Sequence, residues 1–194
     1  MALFFVAAGC AGVQKGAEGD GVASVVESKA VMLEPANVEE RSKRKKIAVL
    51  PFMNMTKNSS ASDVVTDAYI TAFFSDGKYA VEEPGNIRHF LMQEQVSTVG
   101  EMDLDKLVLL GRRMNVDAVV FGHVDQFETG LVYGTPVVGI YARMVDVSTG
   151  KLVWADQRMG RGDDYILVFE FGMIRTPVAL ANRVVEEMVE AIVW

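Results

Sequence analysis

The chain has 194 residues, half of them hydrophobic, and its 19 basic against 26 acidic residues give a formal net charge of −7. This length predicts one domain of about 150 residues plus an extension, which can bury a full core without disulfides or a structural metal. The acidic balance argues against nucleic acid as a partner, because phosphate binding needs a concentrated basic face.

Cysteine and histidine usage argues against a metal site. Cys10 is the single cysteine, which excludes an internal disulfide and a Cys-based metal site. His89 and His123 stand in a predicted helix and a predicted strand, without the H-x-x-x-H or H-E-x-x-H spacing of metal ligands. We therefore expect neither a metal nor another cofactor.

The beginning of the chain resembles a lipoprotein signal. Residues 1–12, MALFFVAAGCAG, are an apolar run followed by small residues, the pattern that precedes signal-peptide cleavage. Four residues, Ala7, Ala8, Gly9 and Cys10, resemble the lipobox of bacterial lipoproteins. This implies a signal remnant over 1–10 and lipidation at Cys10; the alternative is a cysteine in an apolar N-terminal strand or helix. Because the run is short and has no basic segment, we expect the natural start upstream.

Residues 11–44 predict a flexible tether between the lipidated cysteine and a folded domain. They are rich in Gly, Ala, Ser, Val and Glu and show no clear period. Some thirty such residues reach roughly 30 Å. In the sorting pattern of enteric bacteria, Ala11 in place of Asp implies the outer membrane. The basic run 41–46 ends this segment, and a solvated charge run explains it better than a nucleic-acid or lipid-headgroup patch.

The remaining residues, 45–194, predict an α/β domain with a mixed β-sheet of about five strands packed with helices. The apolar run 46–54 is the first strand, and it needs cover on both faces. Apolar-periodic helices then alternate with strands, and the turn at Gly150 pairs the last two strands antiparallel. The predicted strands are 46–54, 79–82, 117–127, 136–147 and 152–158. The predicted helices begin at a cap on Ser62 or Asp63, at Pro84, after Asp103 and after Thr176, the last running nearly to the C-terminus.

Residues 165–174, YILVFEFGMI, are too short for a transmembrane helix, which needs about 20 apolar residues. A further strand or a buried helical turn is one interpretation. The alternative is an exposed apolar surface used for assembly. The candidate interface residues on that surface are Tyr165, Leu167, Phe169 and Phe171.

No set of residues in the sequence predicts catalysis. There is no G-x-G-x-x-G, no P-loop and no G-x-S-x-G. The acidic pairs at 82–83, 163–164 and 186–187 point in different directions on a strand or helix, which favours solvated pairs over acid/base carboxylates. We expect a protein without enzymatic activity; a soluble enzyme of an unrecognised type is the remaining alternative.

Four phrases in chain order resemble a group of bacterial periplasmic lipoproteins. The phrases IAVLPFMNMT, YAVEEPGNIRHFLMQEQ, LGRRMNVDAVVFGHV and ARMVDVSTGKLVWA are similar to the domain shared by CsgG, LpoB and the N-terminal domain of TolB. The resemblance implies binding and assembly, and it carries no catalytic residue over to this chain.

Together with the lipobox, the resemblance implies a lipid-anchored protein on the periplasmic face of the outer membrane. We expect a subunit or accessory of an outer-membrane assembly or secretion system, with a protein partner in the envelope and a homo-oligomeric state. The alternative is an activator that docks on a peptidoglycan synthase.

Overall fold

A six-stranded mixed sheet forms the middle of the domain, with helices on both faces. The computed structural model describes residues 44–96, 102–130, 134–166 and 171–194. The predicted lipobox and nearly all of the predicted tether lie outside these residues. Within them, no helix has the length and apolar character needed to cross a bilayer.

The observed elements confirm the predicted α/β class with a C-terminal helix. The strands are β1 (Lys46–Val49), β2 (Met53–Asn54), β3 (Ala80–Val81), β4 (Ala118–Glu128), β5 (Val137–Asp146) and β6 (Leu152–Arg161). The helices of the described residues are α1 (Ala61–Asp76), α2 (Pro84–Gln93), α3 (Leu104–Arg113) and α4 (Pro177–Glu190).

The strand order is β3-β1-β4-β5-β6, and β2 also pairs with β4. The pairs among β1, β2, β3 and β4 are parallel, whereas β4, β5 and β6 form an antiparallel meander. The predicted first strand is wrong as one continuous element, because it divides at Pro51 into β1 and β2. Proline has no N–H for the ladder, and the next amide, that of Phe52, donates to Thr66 Oγ1 at 3.0 Å instead.

Each face of the sheet buries its own hydrophobic cluster. Alternate residues of β1 point to opposite faces, so that Ile47 and Val49 join one cluster while Ala48 and Leu50 join the other. Helices α1 and α4 cover the first face, and helices α2 and α3 cover part of the second. This confirms that the first apolar run is covered on both sides.

Side-chain caps fix where three of the helices begin. Asp103 Oδ1 accepts from the Lys106 amide at 2.9 Å, and Thr176 Oγ1 accepts from the Ala179 amide at 3.2 Å, both as predicted. The predicted cap of α1 is wrong: Ser60 occupies the N-cap position, and its side chain makes no capping hydrogen bond to the helix. Ser62 lies inside the helix and donates to the Phe52 carbonyl, which ties α1 to the sheet.

The β5–β6 turn confirms the predicted hairpin. Asp146 Oδ1 accepts from the Thr149 amide at 2.7 Å, and Gly150 adopts a φ of 68°. The hydrogen bond from Ser148, together with those from Thr149, holds the pKa of Asp146 below its usual range. Strand β6 continues to Arg161, beyond the predicted end at residue 158.

An ion pair between a partly exposed lysine and a buried carboxylate joins β1 to the segment after β3. The Lys46 ammonium contacts the Glu82 carboxylate, whose side chain is 8% exposed, and Asn86 Nδ2 donates to Glu82 Oε1 at 2.7 Å. Burial raises the pKa of Glu82, but the hydrogen bonds from Lys46 and Asn86 outweigh it and leave that pKa below 4.5. The ionised carboxylate therefore stabilises the folded state.

We expect Glu82→Gln to lower the free energy of unfolding by about 1–2 kcal/mol at neutral pH, because a charge-assisted hydrogen bond is lost. The pKa of Glu82 is lower in the folded state than in the unfolded state. Its contribution to stability is therefore fully present above the unfolded-state pKa and is lost as the pH falls through the folded-state pKa. Urea unfolding at pH 7 and at pH 3 measures the difference between parent and variant. As a control, Glu94→Gln removes an exposed pair with Arg113 and should change little. An equal deficit for Glu82→Gln at both pH values would contradict the assignment.

Candidate interaction surface

Part of one sheet face extends beyond the helices that cover it. Helices α2 and α3 pack over Val119 and Phe121 of β4 and Val145 of β5. Farther along, alternation places other side chains of β4, β5 and β6 on the same face. We call this surface the open sheet face; its residues are His123, Asp125, Tyr141, Arg143, Gln157 and Met159.

The open sheet face is accessible to solvent. The side chains of His123 and Asp125 are 26% and 32% exposed, and Met159 is 64% exposed. None of the six residues belongs to either hydrophobic cluster. Within the described residues, the face therefore has no covering element.

Arg143 is the most constrained side chain on this face. Its guanidinium lies 4.5 Å from the Phe121 ring centroid and 5.3 Å from that of Tyr141, as in cation–π contacts. Its Nε is buried and has no hydrogen-bond partner among the described residues, and no ion pair joins it to a described carboxylate. A desolvated donor without an acceptor costs about 1–3 kcal/mol. An acceptor brought by a bound molecule would recover part of that cost.

Beside Arg143, a bulge in β4 brings a carboxylate next to an imidazole. The register of β4 on β5 shifts between Val124 and Gln126, which leaves Asp125 on the same face as His123. His123 Nε2 lies 3.1 Å from Asp125 Oδ1, and the His123 ring lies 5.0 Å from that of Tyr141. The face thus has a polar aromatic centre and an apolar margin at Met159. Arg, Tyr and Met are side chains enriched in protein interfaces.

The two described candidate interface residues, Tyr165 and Phe171, differ in their exposure to solvent. Tyr165 is half-buried on α4, with its ring 5.6 Å from the Arg183 guanidinium; burial and the nearby Glu187 raise the pKa of its hydroxyl. Phe171 is 76% exposed. Leu167 and Phe169 lie outside the described residues. Their role in an interface stays a prediction.

The sequence analysis predicted the strands 117–127 and 136–147 but not which of their side chains the helices leave uncovered, so it did not identify the open sheet face. A signal was present. His123 and Asp125 stand two positions apart in β4, and so do Tyr141 and Arg143 in β5. Polar residues at every second position predict a strand face that is not fully buried.

A groove of about 700 Å³ between α1 and α4 is the other notable concavity. Small side chains line its floor, and its carboxylates include Asp76 and Glu186, which pair with Lys78 and Arg183. Within the described residues, no cluster of His, Cys, Asp and Glu is arranged to hold a metal ion. The groove therefore offers a solvated acidic surface.

Comparison with solved structures finds this fold in bacterial proteins. The PelC dodecamer from Paraburkholderia phytofirmans aligns with a TM-score of 0.55 and 19% identity, over 75% of this chain and 85% of that one. Lipoprotein GNA1162 from Neisseria meningitidis aligns with a TM-score of 0.53 and 20% identity, over 76% and 99% of the two chains. At these identities the likeness shows the fold alone.

The C-terminal domain of LpoB from Salmonella enterica gives a lower TM-score of 0.47 at 16% identity, over 60% of this chain and 82% of that one. The likeness to CsgG and to the N-terminal domain of TolB stays a prediction. No curated protein sequence matches the chain.

A sequence profile covers most of the chain. The profile described as "Putative lipoprotein GNA1162-like" matches residues 37–192, which include all of the strands and helices described above. The chain therefore belongs to the GNA1162-like lipoprotein family.

Proposed function

We propose that this chain is a non-enzymatic, lipid-anchored protein of the bacterial cell envelope that binds a protein partner through the open sheet face. The observation that carries the proposal is the uncovered Arg143–Tyr141–His123 surface on a domain of a lipoprotein family. Cys10 would hold the acyl chains, and residues 11–44 would be the tether. The anchor would lie on the periplasmic face of the outer membrane.

The proposed role is that of a subunit or accessory in an outer-membrane assembly or secretion system. PelC of Paraburkholderia phytofirmans forms a dodecamer, which supports self-association for this chain. The exposed aromatic, methionine and guanidinium groups of the open sheet face are suited to a protein partner that brings a carboxylate to Arg143.

A second candidate is an activator that docks on a peptidoglycan synthase. The open sheet face is compatible with this role too, because the guanidinium of Arg143, which has no ion pair with a described carboxylate, could meet an acceptor from a different protein as well as one from a second copy. The predicted tether would let the domain reach such a synthase across part of the periplasm.

Photo-cross-linking in cells tests the proposed surface. We expect benzoylphenylalanine in place of Tyr141 to give a discrete adduct. The same probe at Leu109, which is 51% exposed on α3, is the control and should give little. Adding Arg143→Ala should reduce the Tyr141 adduct about tenfold, as for a central interface arginine.

The identity of the adduct separates the two candidates. A second copy of the chain, or another envelope-assembly protein, supports the assembly role, whereas a cell-wall synthase supports the docking activator. Equal adducts at positions 141 and 109, insensitive to Arg143→Ala, would contradict binding through the open sheet face.

A further inference from the structure

Strand β6 forms one edge of the sheet, and its outer side has no neighbouring strand among the described residues. It is ten residues long, whereas β3 at the other edge has two. Its register on β5 is regular from Trp154 to Arg161, without a bulge, and it contains no proline. Bulges and prolines are common devices that keep an edge strand from pairing with another chain.

We propose that β6 pairs antiparallel with β6 of a second copy of this chain, about a two-fold axis at Gln157. The inference rests on the proposed role as an assembly subunit and names the surface that joins two copies. The resulting sheet would be continuous, with both open sheet faces on the same side.

The charge pattern of β6 selects this register. In a strand pair related by a two-fold axis perpendicular to the sheet, the numbers of directly facing residues have a constant sum. With the axis at Gln157, Asp156 of each copy faces Arg158 of the other copy. Within one chain, Arg158 Nε already lies 2.9 Å from Asp156 Oδ2, and its Nη1 lies 3.6 Å from Glu187 Oε2 of α4. The pairing would therefore join two such groups, each with one arginine and two carboxylates. Opposite charges on directly facing residues stabilise a strand pair.

Neighbouring registers are disfavoured by the same residues. An axis at residue 156 would place two Asp156 carboxylates face to face, and an axis at residue 158 would do the same with two Arg158 guanidiniums. Like charges directly opposite each other destabilise a pair of strands.

On the open side of the sheet, the same axis sets Met159 against the second copy's Ala155. Met159 is 64% exposed and Ala155 is exposed, so the pairing would cover an apolar side chain with a small one at two places. The interface would be self-complementary in charge, size and backbone hydrogen bonding.

Cysteine cross-linking of the full chain in its own membranes tests the register. We expect Gln157→Cys to form a disulfide-linked dimer, because directly opposite Cβ atoms lie about 4.5–5.5 Å apart. Ala155→Cys and Met159→Cys, expressed separately, should link at least about tenfold less. In either variant, the introduced cysteine and the same cysteine of the second copy would be offset by four residues, roughly 13 Å along the strand. Co-expressed, these two variants should link to each other. All variants retain Cys10, so linkage through Cys10 would be equal in each.

Charge reversal provides a second, independent readout. In the Gln157→Cys background, Asp156→Arg should reduce the linked fraction about tenfold, because it places arginines opposite each other. The double change Asp156→Arg with Arg158→Asp should restore it. Equal linkage at positions 155, 157 and 159, or none at 157, would overturn the strand pairing. Tyr141 pairs with Gln157, so a second copy joined through β6 would also lie within reach of a probe at position 141. Capture at Tyr141 of a protein other than a second copy therefore tests the proposed function separately.

Discussion

Replacing Gly122 by alanine is expected to lower the free energy of unfolding by about 2–4 kcal/mol. Gly122 lies in β4, in the middle of the sheet, where the β5 backbone and Phe52 both approach the position that a Cβ would occupy. A Cβ at this position would overlap the Tyr141 carbonyl oxygen and lie 2.8 Å from Phe52 Cε1. The Tyr141 carbonyl oxygen belongs to the backbone of β5, which is paired with β4, so the overlap can be relieved only if the two strands move apart.

Gly139 provides the matched control for this substitution. It lies in β5 of the same sheet, and a Cβ there would meet Gln126 Cβ at 3.4 Å, an ordinary contact. Gly139→Ala should therefore change stability by less than about 1 kcal/mol. Urea unfolding followed by the fluorescence of Trp154 and Trp194 measures both variants. Equal, small effects would show that β4 and β5 do not approach as closely as described.

The second large effect is expected at the N-terminus. Cys10→Ser should abolish incorporation of labelled fatty acid and move the chain from the membrane fraction to the soluble fraction. A multiply acylated cysteine is a stable anchor, since each buried CH₂ contributes about 0.8 kcal/mol. Metabolic labelling and salt-washed membrane fractionation of cells expressing the full chain give the result.

Ala11→Asp is the control for that experiment. It retains the cysteine, so the label should persist. By the sorting pattern of enteric bacteria, the chain should then move from the outer to the inner membrane fraction. Unchanged labelling and membrane partition in Cys10→Ser would contradict anchoring through this residue.

Local sequence patterns were sufficient to predict the helices and the succession of strands along the chain. The caps at Asp103 and Thr176 and the Gly150 turn depend on residues a few positions apart, so their signals are complete in the sequence. Gly111 in α3 and Gly122 in β4 each stand at a close approach, since a Cβ on Gly111 would overlap Val147 and one on Gly122 would overlap Tyr141.

Alternating polar residues in β4 and β5 indicate a partly exposed strand face, but the extent of the open sheet face depends on information that no single strand carries. Helices α2 and α3 are ten residues long each, whereas β4 has eleven and β5 ten at a larger rise per residue. The strands therefore extend beyond the cover that these helices give. Which residues remain uncovered follows from the strand register and the helix positions, both of which are tertiary properties.

The division of the first strand and the length of β6 have similar causes. Pro51 indicated a break, but the apolar character on both sides of it favoured one continuous strand. The prediction ended β6 at Arg158, before Gly160 and the charged Arg161, although an edge strand tolerates a charged side chain because one side faces solvent. Leu50 donates to Val120 O at 2.9 Å and Met55 to Val124 O at 3.0 Å, so both pieces of the first strand stay on β4.

The most direct measurement is the mass of the full chain extracted from membranes in mild detergent, by native mass spectrometry over a range of protein concentrations. The predicted result is a dimer or an even multiple of the chain, with the mass of acyl groups on every copy and with dissociation on Asp156→Arg. An unacylated monomer at every concentration would contradict both the anchor and the self-assembly.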